Sequence, residues 1–253
     1  LGVTMAHPHS LIDSIQYHCP TLGDYLPAAS YSLTTQVLYQ QQKKGVFSFC
    51  MCPGGFIVPA ATAPGEIVVN GMSPSRRNSR FANSGIVVAI DDADLQPFEA
   101  HEELAGLAFQ QAVEQRAFSL AGGTQAAPAQ RMVDFIERRV SSSLPETSYQ
   151  PGLASVPLAD VLPGQVTHRL QQGFRDFGRK MRGYLSNEAV LVGVESRTSS
   201  PVRIPRDPET FEHVILGRLF PAGEGAGYAG GMASSAMDGE RCAEKIATRY
   251  FGR

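Results

Sequence analysis

Alternation of apolar and polar side chains predicts β structure over residues 45–91. Between residues 47 and 52, Phe or Met alternates with Ser or Cys, which is the period of a strand with one buried face. Apolar runs at 56–58, 67–69 and 86–90 predict three more strands, and turns that contain Gly and Pro separate them. Turns at this spacing favour antiparallel meanders over a doubly wound nucleotide-binding fold.

Residues 97–186 instead show the period of α-helices. Apolar side chains that step by four positions predict a helix around 109–117, and Pro128 is predicted to begin a second helix. A longer amphipathic helix is predicted over 166–181, and an apolar strand resumes at 189–194. The change of period from two to 3.6 and back indicates a helical insertion within a β domain.

The expected fold class is therefore α+β. Residues 45–91 and 188–204 are predicted to form one mainly antiparallel sheet, with the helices inserted between its strands. A further short helix is predicted to open around His7-Pro8-His9, with Leu11, Ile12 and Ile15 on its apolar face.

A second kind of pattern lies near the C-terminus. The apolar run 214–220 predicts a buried strand, a glycine-rich turn follows at 223–231, and a helix is predicted to begin after it. The first turn of a helix has unpaired N–H groups and a partial positive charge, and glycine lets a ligand approach the backbone closely. Residues 225–230 also match G-x-G-x-x-G, but that fingerprint requires a second strand with an acidic residue about 20 positions later. The sequence stops at Arg253, and no second strand is predicted after the helix. These residues are therefore expected to form only half of a dinucleotide site.

Composition and charge narrow the function classes. The net charge of −2 gives no basis for a nucleic-acid or membrane partner. There is no run of 18 apolar residues and no signal-peptide pattern, so a cytoplasmic location is expected. The four cysteines do not predict a disulfide framework in a chain of 253 residues. Cys19 and the nearby histidines lack a tetrahedral ligand spacing, so no metal site is predicted.

Four stretches in the same order resemble the C-terminal portion of a bacterial family described as uncharacterised FAD-dependent dehydrogenases, of the NAD(P)/FAD-dependent oxidoreductase type. These stretches are 47–55, 69–73, 195–204 and 220–231. The resemblance implies hydride transfer through a flavin, a small-molecule substrate that it does not identify, and NADH or NADPH as a candidate electron donor. It also implies a discontinuous FAD domain whose first Rossmann segment lies N-terminal to these residues, so this chain alone is expected to lack FAD.

The resemblance divides the chain into three parts. Residues 1–20 and 205–253 are predicted to be a remnant of the FAD-binding domain, and 21–96 with 187–204 a β-rich substrate domain. Residues 97–186 are the predicted helical insertion.

Site residues follow from the same resemblance. The Glu224 carboxylate is expected to accept hydrogen bonds from ribityl or ribose hydroxyls, and the amides of 230–232 are expected to face the flavin edge that becomes negative on reduction. The full set of predicted cofactor-binding residues is Gly223, Glu224, Gly225, Gly227, Tyr228, Gly230, Gly231 and Met232. The predicted wall of the substrate or cofactor site consists of Cys50, Cys52, Asn70, Arg76, Arg197, Thr198, Ser199 and Ser200.

Structural alternatives stay open at each of these positions. Cys50 and Cys52, predicted to share one face of a strand, either have a redox role beside the flavin or are small buried residues. The Arg76 loop either holds an anion or is a solvated surface, and residues 197–200 form a site wall or a strand end with a Ser/Thr turn. Glu224 binds cofactor hydroxyls or caps the turn that follows it.

Two functional classes remain. One is the C-terminal portion of an FAD-dependent oxidoreductase, and the alternative is a non-catalytic binding or scaffold module that keeps the fold without the cofactor. A hydrolase is disfavoured, because the sequence has no G-x-S-x-G elbow. No catalytic residue and no oligomeric state are predicted.

Overall fold

The structure is a computed structural model that describes residues 1–19, 23 and 25–252. The described strands are β1 Gly2–Pro8, β2 Thr34–Tyr39, β3 Gln42–Cys52, β4 Phe56–Pro59, β5 Val69–Met72, β6 Phe81–Val88, β7 Ala127–Arg131, β8 Leu153–Ser155 and β9 Val190–Glu195. The described helices are α1 His9–Tyr17, α2 Asp92–Leu95, α3 Ala105–Leu120, α4 Met132–Glu137, α5 Leu158–Val161, α6 Gly164–Lys180 and α7 Met232–Phe251, with a 3-10 helix at Gln96–Leu104. The predicted α+β class is confirmed.

Seven strands form the main sheet, in the order β2-β3-β6-β1-β9-β7-β8. Neighbouring strands are antiparallel except for the parallel pair β7 and β8. Strands β4 and β5 form a separate two-stranded sheet. The main sheet thus contains β3 and β6 from 45–91 and β9 from 188–204, as predicted, but β4 and β5 lie outside it. β9 pairs with β1 and β7 and with no strand of 45–91.

Strand β1 occupies the centre of the main sheet. It pairs with β6 on one edge and with β9 on the other, and Val3 and Met5 have no exposed surface. The sequence prediction placed only a helix start here, because a strand buried on both faces lacks the polar alternation that marks a half-exposed one. The predicted short helix follows directly as α1.

Helices α3 and α6 match their predictions. Helix α6 buries Val166, Leu170, Phe174 and Phe177, the face that the period indicated. It approaches the sheet closely at Gly173, where an added Cβ would lie 2.5 Å from Val46 Cγ1.

One predicted helix begins later than expected, and one predicted strand is wrong. The second helix is present as α4 but begins at Met132, because Pro128 lies within β7. The run 214–220 forms no strand among the described residues, and Ile215 is 83% exposed. The His213 Nδ1 atom accepts hydrogen bonds from the N–H groups of Ile215 and Leu216 at 3.1 and 3.0 Å. These two N–H groups are therefore not available for the hydrogen bonds between strands that a β-sheet requires.

The chain divides into two compact units. The sheet unit consists of Leu1–Asp94 and Gln111–Ser196, and the C-terminal unit consists of Leu95–Gln110 and Arg197–Arg253. Strand β1, predicted to belong to the FAD-binding remnant, lies in the sheet unit, as do β7 and β8 from the predicted helical insertion. The functions assigned to the predicted domains remain predictions.

A buried carboxyl group lies at the end of β9. Glu195 is 3% exposed, and Thr4 Oγ1 donates a hydrogen bond to its Oε2 atom. Burial raises the pKa of Glu195 from its ordinary value of 4.5 to about 7, because ionisation in a low-dielectric interior is costly.

This shifted pKa predicts a pH dependence of stability. Between pH 4.5 and 7 the unfolded carboxyl ionises while the folded one keeps its proton, so the free energy of unfolding falls as pH rises through this range. The total loss is about 3 kcal/mol above pH 7. Glu195→Gln, which is always neutral, is expected to remove this slope and to be more stable than the wild type at pH 8 by about that amount.

Urea unfolding between pH 4 and pH 8 tests this expectation, with the exposed Glu188→Gln as the matched control. Glu188→Gln should keep the wild-type slope. Equal pH dependence for Glu195→Gln and the wild type would contradict the assignment.

Candidate functional site

The glycine-rich turn of the C-terminal unit is closed by its own backbone. The Gly227 N–H group donates to the Glu224 carbonyl at 2.9 Å, and the Tyr228 N–H group donates to the Gly223 carbonyl at 3.0 Å. Gly223 and Gly227 have φ values of +74° and +82°, a left-handed conformation that glycine adopts without strain. A Cβ on Gly227 would also lie 2.7 Å from the Val202 carbonyl oxygen. Glycine is therefore required at residue 227 on two grounds.

The third and fourth resembling stretches meet at this turn. The Ile204 N–H group donates to the Ala226 carbonyl at 3.1 Å. The Ser200 hydroxyl lies 2.8 Å from the Val202 carbonyl oxygen and 3.3 Å from that of Gly225. Of the predicted wall residues, Ser200 is thus in contact with the predicted cofactor turn. The other three in this segment are half-buried or exposed: Arg197, Thr198 and Ser199.

The turn leads into the N-terminus of α7. The N-cap residue, Gly231, has no side chain that could accept the first-turn N–H groups, so they remain available to a ligand. A Cβ built on Gly225, Gly230 or Gly231 meets no described atom within 4 Å. Met232, the first residue of the helix, is 93% exposed. The Gly230 N–H group donates to Ser234 Oγ at 3.3 Å, so the N–H groups of this stretch without a partner among the described residues are those of Gly231 and Met232.

Glu224 adds a carboxylate to this opening. It is half-buried, and its side chain has no hydrogen-bond or ion-pair partner among the residues that the structure describes. A carboxylate in this state can accept hydrogen bonds from ligand hydroxyls. Together with the first-turn N–H groups of α7, which have no partner among the described residues, it offers both hydrogen-bond donors and acceptors to a polar ligand.

Arg206 fixes the turn to α7. Its guanidinium donates to both carboxylate oxygens of Asp238, at 2.9 and 2.6 Å, and to the Pro221 carbonyl at 2.7 Å. Asp238 also accepts the Gly223 N–H group at 2.9 Å. The hydrogen bond from Arg206 is the main reason that the pKa of Asp238 is lowered. The buried pair thus joins the start of the turn to the second turn of the helix.

Neither Arg206 nor Asp238 was predicted from the sequence as a site residue. Arg206 also lies under two aromatic rings, with its guanidinium carbon 3.6 Å from the Tyr228 ring centroid and 4.1 Å from that of Phe211. No local pattern connects position 206 with position 238, so the sequence alone contains no signal for the contact. Tyr228 is held further by its hydroxyl, which donates to the Ile204 carbonyl at 2.9 Å.

A shallow cavity of about 460 Å³ adjoins the turn within the C-terminal unit. Arg203, Arg206, Phe211 and Tyr228 line it together with two prolines. The Arg203 guanidinium lies 4.4 Å from the Tyr228 ring centroid and has no anionic partner among the described residues. This cation remains available to an anionic ligand group.

In the sheet unit, the first and second resembling stretches pack together. The Ser73 hydroxyl donates to the Pro53 carbonyl at 3.0 Å, and a Cβ on Gly71 would lie 3.3 Å from Cys52 Sγ. Asn70 is exposed, and its side-chain oxygen accepts the N–H group of Gly71 at 2.8 Å. Arg76 is also exposed. The roles of Cys52, Asn70 and Arg76 as site residues stay predictions.

The two cysteines do not share a face, so that prediction is wrong. A bulge interrupts the pairing of β3 with β6 between Phe49 and Cys52, and Cys50 has a φ of +47°. The extra residue breaks the alternation, which leaves Cys50 exposed and Cys52 buried. Burial raises the pKa of the Cys52 thiol to about 11. At neutral pH this thiol is protonated, which favours the interpretation of Cys52 as a small buried residue.

The described part of the chain contains neither a cluster for a metal ion nor a membrane-spanning helix. No group of three or more His, Cys, Asp or Glu side chains there has a geometry that could hold a metal ion. None of the described helices is both long and apolar enough to span a membrane.

Comparison with known proteins supports the resemblance found in the sequence. A family model described as "FAD-dependent protein, C-terminal domain-like" matches residues 1–198. A protein of Clostridium beijerinckii described as uncharacterized is 42% identical over 252 residues, which cover 99% of this chain and 46% of that relative. The chain thus spans about half the length of the relative, and the family match ends before the glycine turn. Because the match covers most of the chain, this protein belongs to the family of FAD-dependent protein C-terminal domains.

Proposed function

We propose that this domain supplies the C-terminal wall of the flavin site in an FAD-dependent oxidoreductase. The observation that supports this most directly is the open N-terminus of α7 behind residues 223–231, with the unpartnered Glu224 carboxylate beside it. Membership in an FAD-dependent family supports FAD as the cofactor. The geometry of the turn supports residues 223–232 as the ones that would hold it.

The proposed roles follow from the chemistry of each group. The first-turn N–H groups of α7 orient the pyrimidine edge of the flavin and stabilise negative charge there. Glu224 accepts hydrogen bonds from cofactor hydroxyls, and Arg206 with Asp238 keeps the turn in place against the helix. Bound FAD would supply hydride transfer, while these residues supply its position and electrostatic environment.

Arg203 is proposed to meet an anionic group of the same ligand. Its guanidinium is held over Tyr228, a predicted cofactor residue, and lines the adjoining cavity. A planar guanidinium can bind two oxygens of a phosphate at once.

The remainder of the FAD site is proposed to come from outside these residues. One helix terminus and one carboxylate provide few contacts for a dinucleotide, whose ADP half requires its own Rossmann segment. The Clostridium relative, of which this chain covers 46%, has room for such a segment.

The isolated chain is therefore expected to carry no FAD after purification. Gel filtration with detection of flavin absorption measures this directly, before and after incubation with excess FAD. A flavin signal that co-elutes with the chain would contradict the expectation.

Glu224→Ala is expected to weaken FAD binding in a protein that contains this domain together with its dinucleotide-binding segment. A charged hydrogen bond to a hydroxyl contributes about 1.5–3 kcal/mol, so the dissociation constant should rise roughly 10- to 150-fold. Glu224→Gln keeps one acceptor oxygen and should have a smaller effect. Fluorescence titration with FAD measures the constants.

The exposed Glu244→Ala, on α7, is the matched control for loss of one negative charge. It should bind FAD as the parent protein does. The proposal fails if Glu224→Ala binds FAD with unchanged affinity and instead melts at a markedly lower temperature without the cofactor. That result would assign Glu224 to the stability of the turn.

A further inference from the structure

The sheet unit contains a cavity that the proposed flavin site does not use. Its volume is about 480 Å³, and all of its lining residues belong to the sheet unit. The walls come from the end of β7, from α4 and the residues after it, from α5, and from the first two turns of α6. A cavity of this size can hold a small organic ligand.

The N-terminus of α6 opens into this cavity. Gly164, Thr167 and His168 all line it, and their spacing of three and four positions places them on one face of the helix from its first residue. The N-cap is Pro163, which makes no side-chain cap, and the first turn contains no acidic residue. The first-turn N–H groups of this 17-residue helix and its dipole therefore favour an anion at this end.

Thr167 provides an independent indication of a ligand. The residue is 7% exposed, and its hydroxyl oxygen has no hydrogen-bond partner among the described residues. A buried hydroxyl without a hydrogen-bond partner is destabilising, because it has lost its hydration without compensation. A ligand oxygen in the cavity that accepts a hydrogen bond from this hydroxyl would remove that destabilisation.

Charged side chains around the cavity also favour an anion. Arg138 uses its Nε atom to donate to Gln171 at 3.3 Å, and its two terminal nitrogens have no partner among the described residues. Arg139, by contrast, is paired with Asp134 and Glu137 at 3.2 and 2.6 Å. Arg138 is therefore the lining arginine that can offer a two-pronged contact to phosphate.

The remaining surface of the cavity suits the organic part of a ligand. Phe135, Val140 and Pro157 provide apolar walls. Asp160 is the acidic member among the described lining residues, and its carboxylate opposes an anion. Loss of this charge should consequently strengthen anion binding.

We infer that this cavity binds a small organic phosphate monoester. The phosphate group lies at the N-terminus of α6 with Arg138 and the Thr167 hydroxyl, and the organic group lies against the apolar wall formed by Phe135 and Pro157. This site does not depend on the proposed flavin function, and it uses no residue of the glycine turn.

Isothermal titration of the full chain with inorganic phosphate and with phenyl phosphate tests the inference, at constant ionic strength in a phosphate-free buffer. Both anions are expected to bind, and phenyl phosphate should bind at least several-fold more tightly because of the apolar wall. Absence of binding by both would overturn the inference. Phenyl phosphate that binds no more tightly than inorganic phosphate would overturn the assignment to an organic phosphate.

A pair of substitutions at Gly164 separates binding from stability. An added Cβ at Gly164 meets no described atom within 4 Å, so both Gly164→Asp and Gly164→Asn should fold. The Asp side chain interacts favourably with the helix dipole but repels phosphate. Gly164→Asp is therefore expected to melt at an equal or higher temperature while its phosphate affinity falls at least tenfold. Gly164→Asn should stay within about threefold of the wild type, since the isosteric amide adds no charge.

Three further variants complete the test. Arg138→Gln should lower phosphate affinity at least tenfold, and Asp160→Asn should raise it. The exposed Arg182→Gln, which removes the same charge outside the cavity lining, should leave it unchanged. Equal losses for Arg138→Gln and Arg182→Gln, or unchanged affinity for Gly164→Asp, would overturn the inference.

Discussion

The pairing of β1 with two partners is the constraint on which the sheet unit depends. β6 bonds to one edge of Gly2–Pro8 and β9 to the other, so the strands on either side belong to one sheet only through these seven residues. Backbone groups buried at the centre of a sheet must be paired, because an unpaired N–H or C=O group there loses its hydration without compensation. The position of Glu195 next to Thr4 is a direct consequence of this pairing.

A single ion pair has the corresponding role in the C-terminal unit. Asp238 accepts hydrogen bonds from Arg206 and from the Gly223 N–H group, so one carboxylate fixes both the turn and the helix that follows. Arg206 is in turn confined by Tyr228 and Phe211. Removing one partner of such a buried pair leaves the other charge uncompensated. The backbone at the start of α7 is thus held in place by this buried pair.

The periodicity of apolar residues predicted the amphipathic elements. It failed where a strand is buried on both faces or where a side chain forms hydrogen bonds with the backbone. Helix α6 buries the apolar face that the period indicated, and strand β3 was found although Phe47 and Phe49 are only half-buried. Strand β1 was missed because both of its faces are buried, and 214–220 was predicted as a strand although His213 captures its backbone donors. For the candidate site, local motifs identified the turn at 223–231. The contact of Arg206 with Asp238 depends on tertiary structure and leaves no periodic trace.

The two candidate ligand sites differ in a way that their side chains explain. Helices α6 and α7 both begin without a side-chain cap, so the same backbone groups are available at each. At α7 the neighbouring acceptor is Glu224, which has no side-chain partner among the described residues; it would repel a phosphate but can accept hydrogen bonds from hydroxyls such as those of the proposed ribityl chain. In the cavity beside α6, Arg138 adds a full positive charge, and its terminal nitrogens have no partner among the described residues. The two helix termini thus differ in the charged side chain proposed to act beside them, a carboxylate at α7 and a guanidinium at α6. The ligands proposed for the two sites differ accordingly.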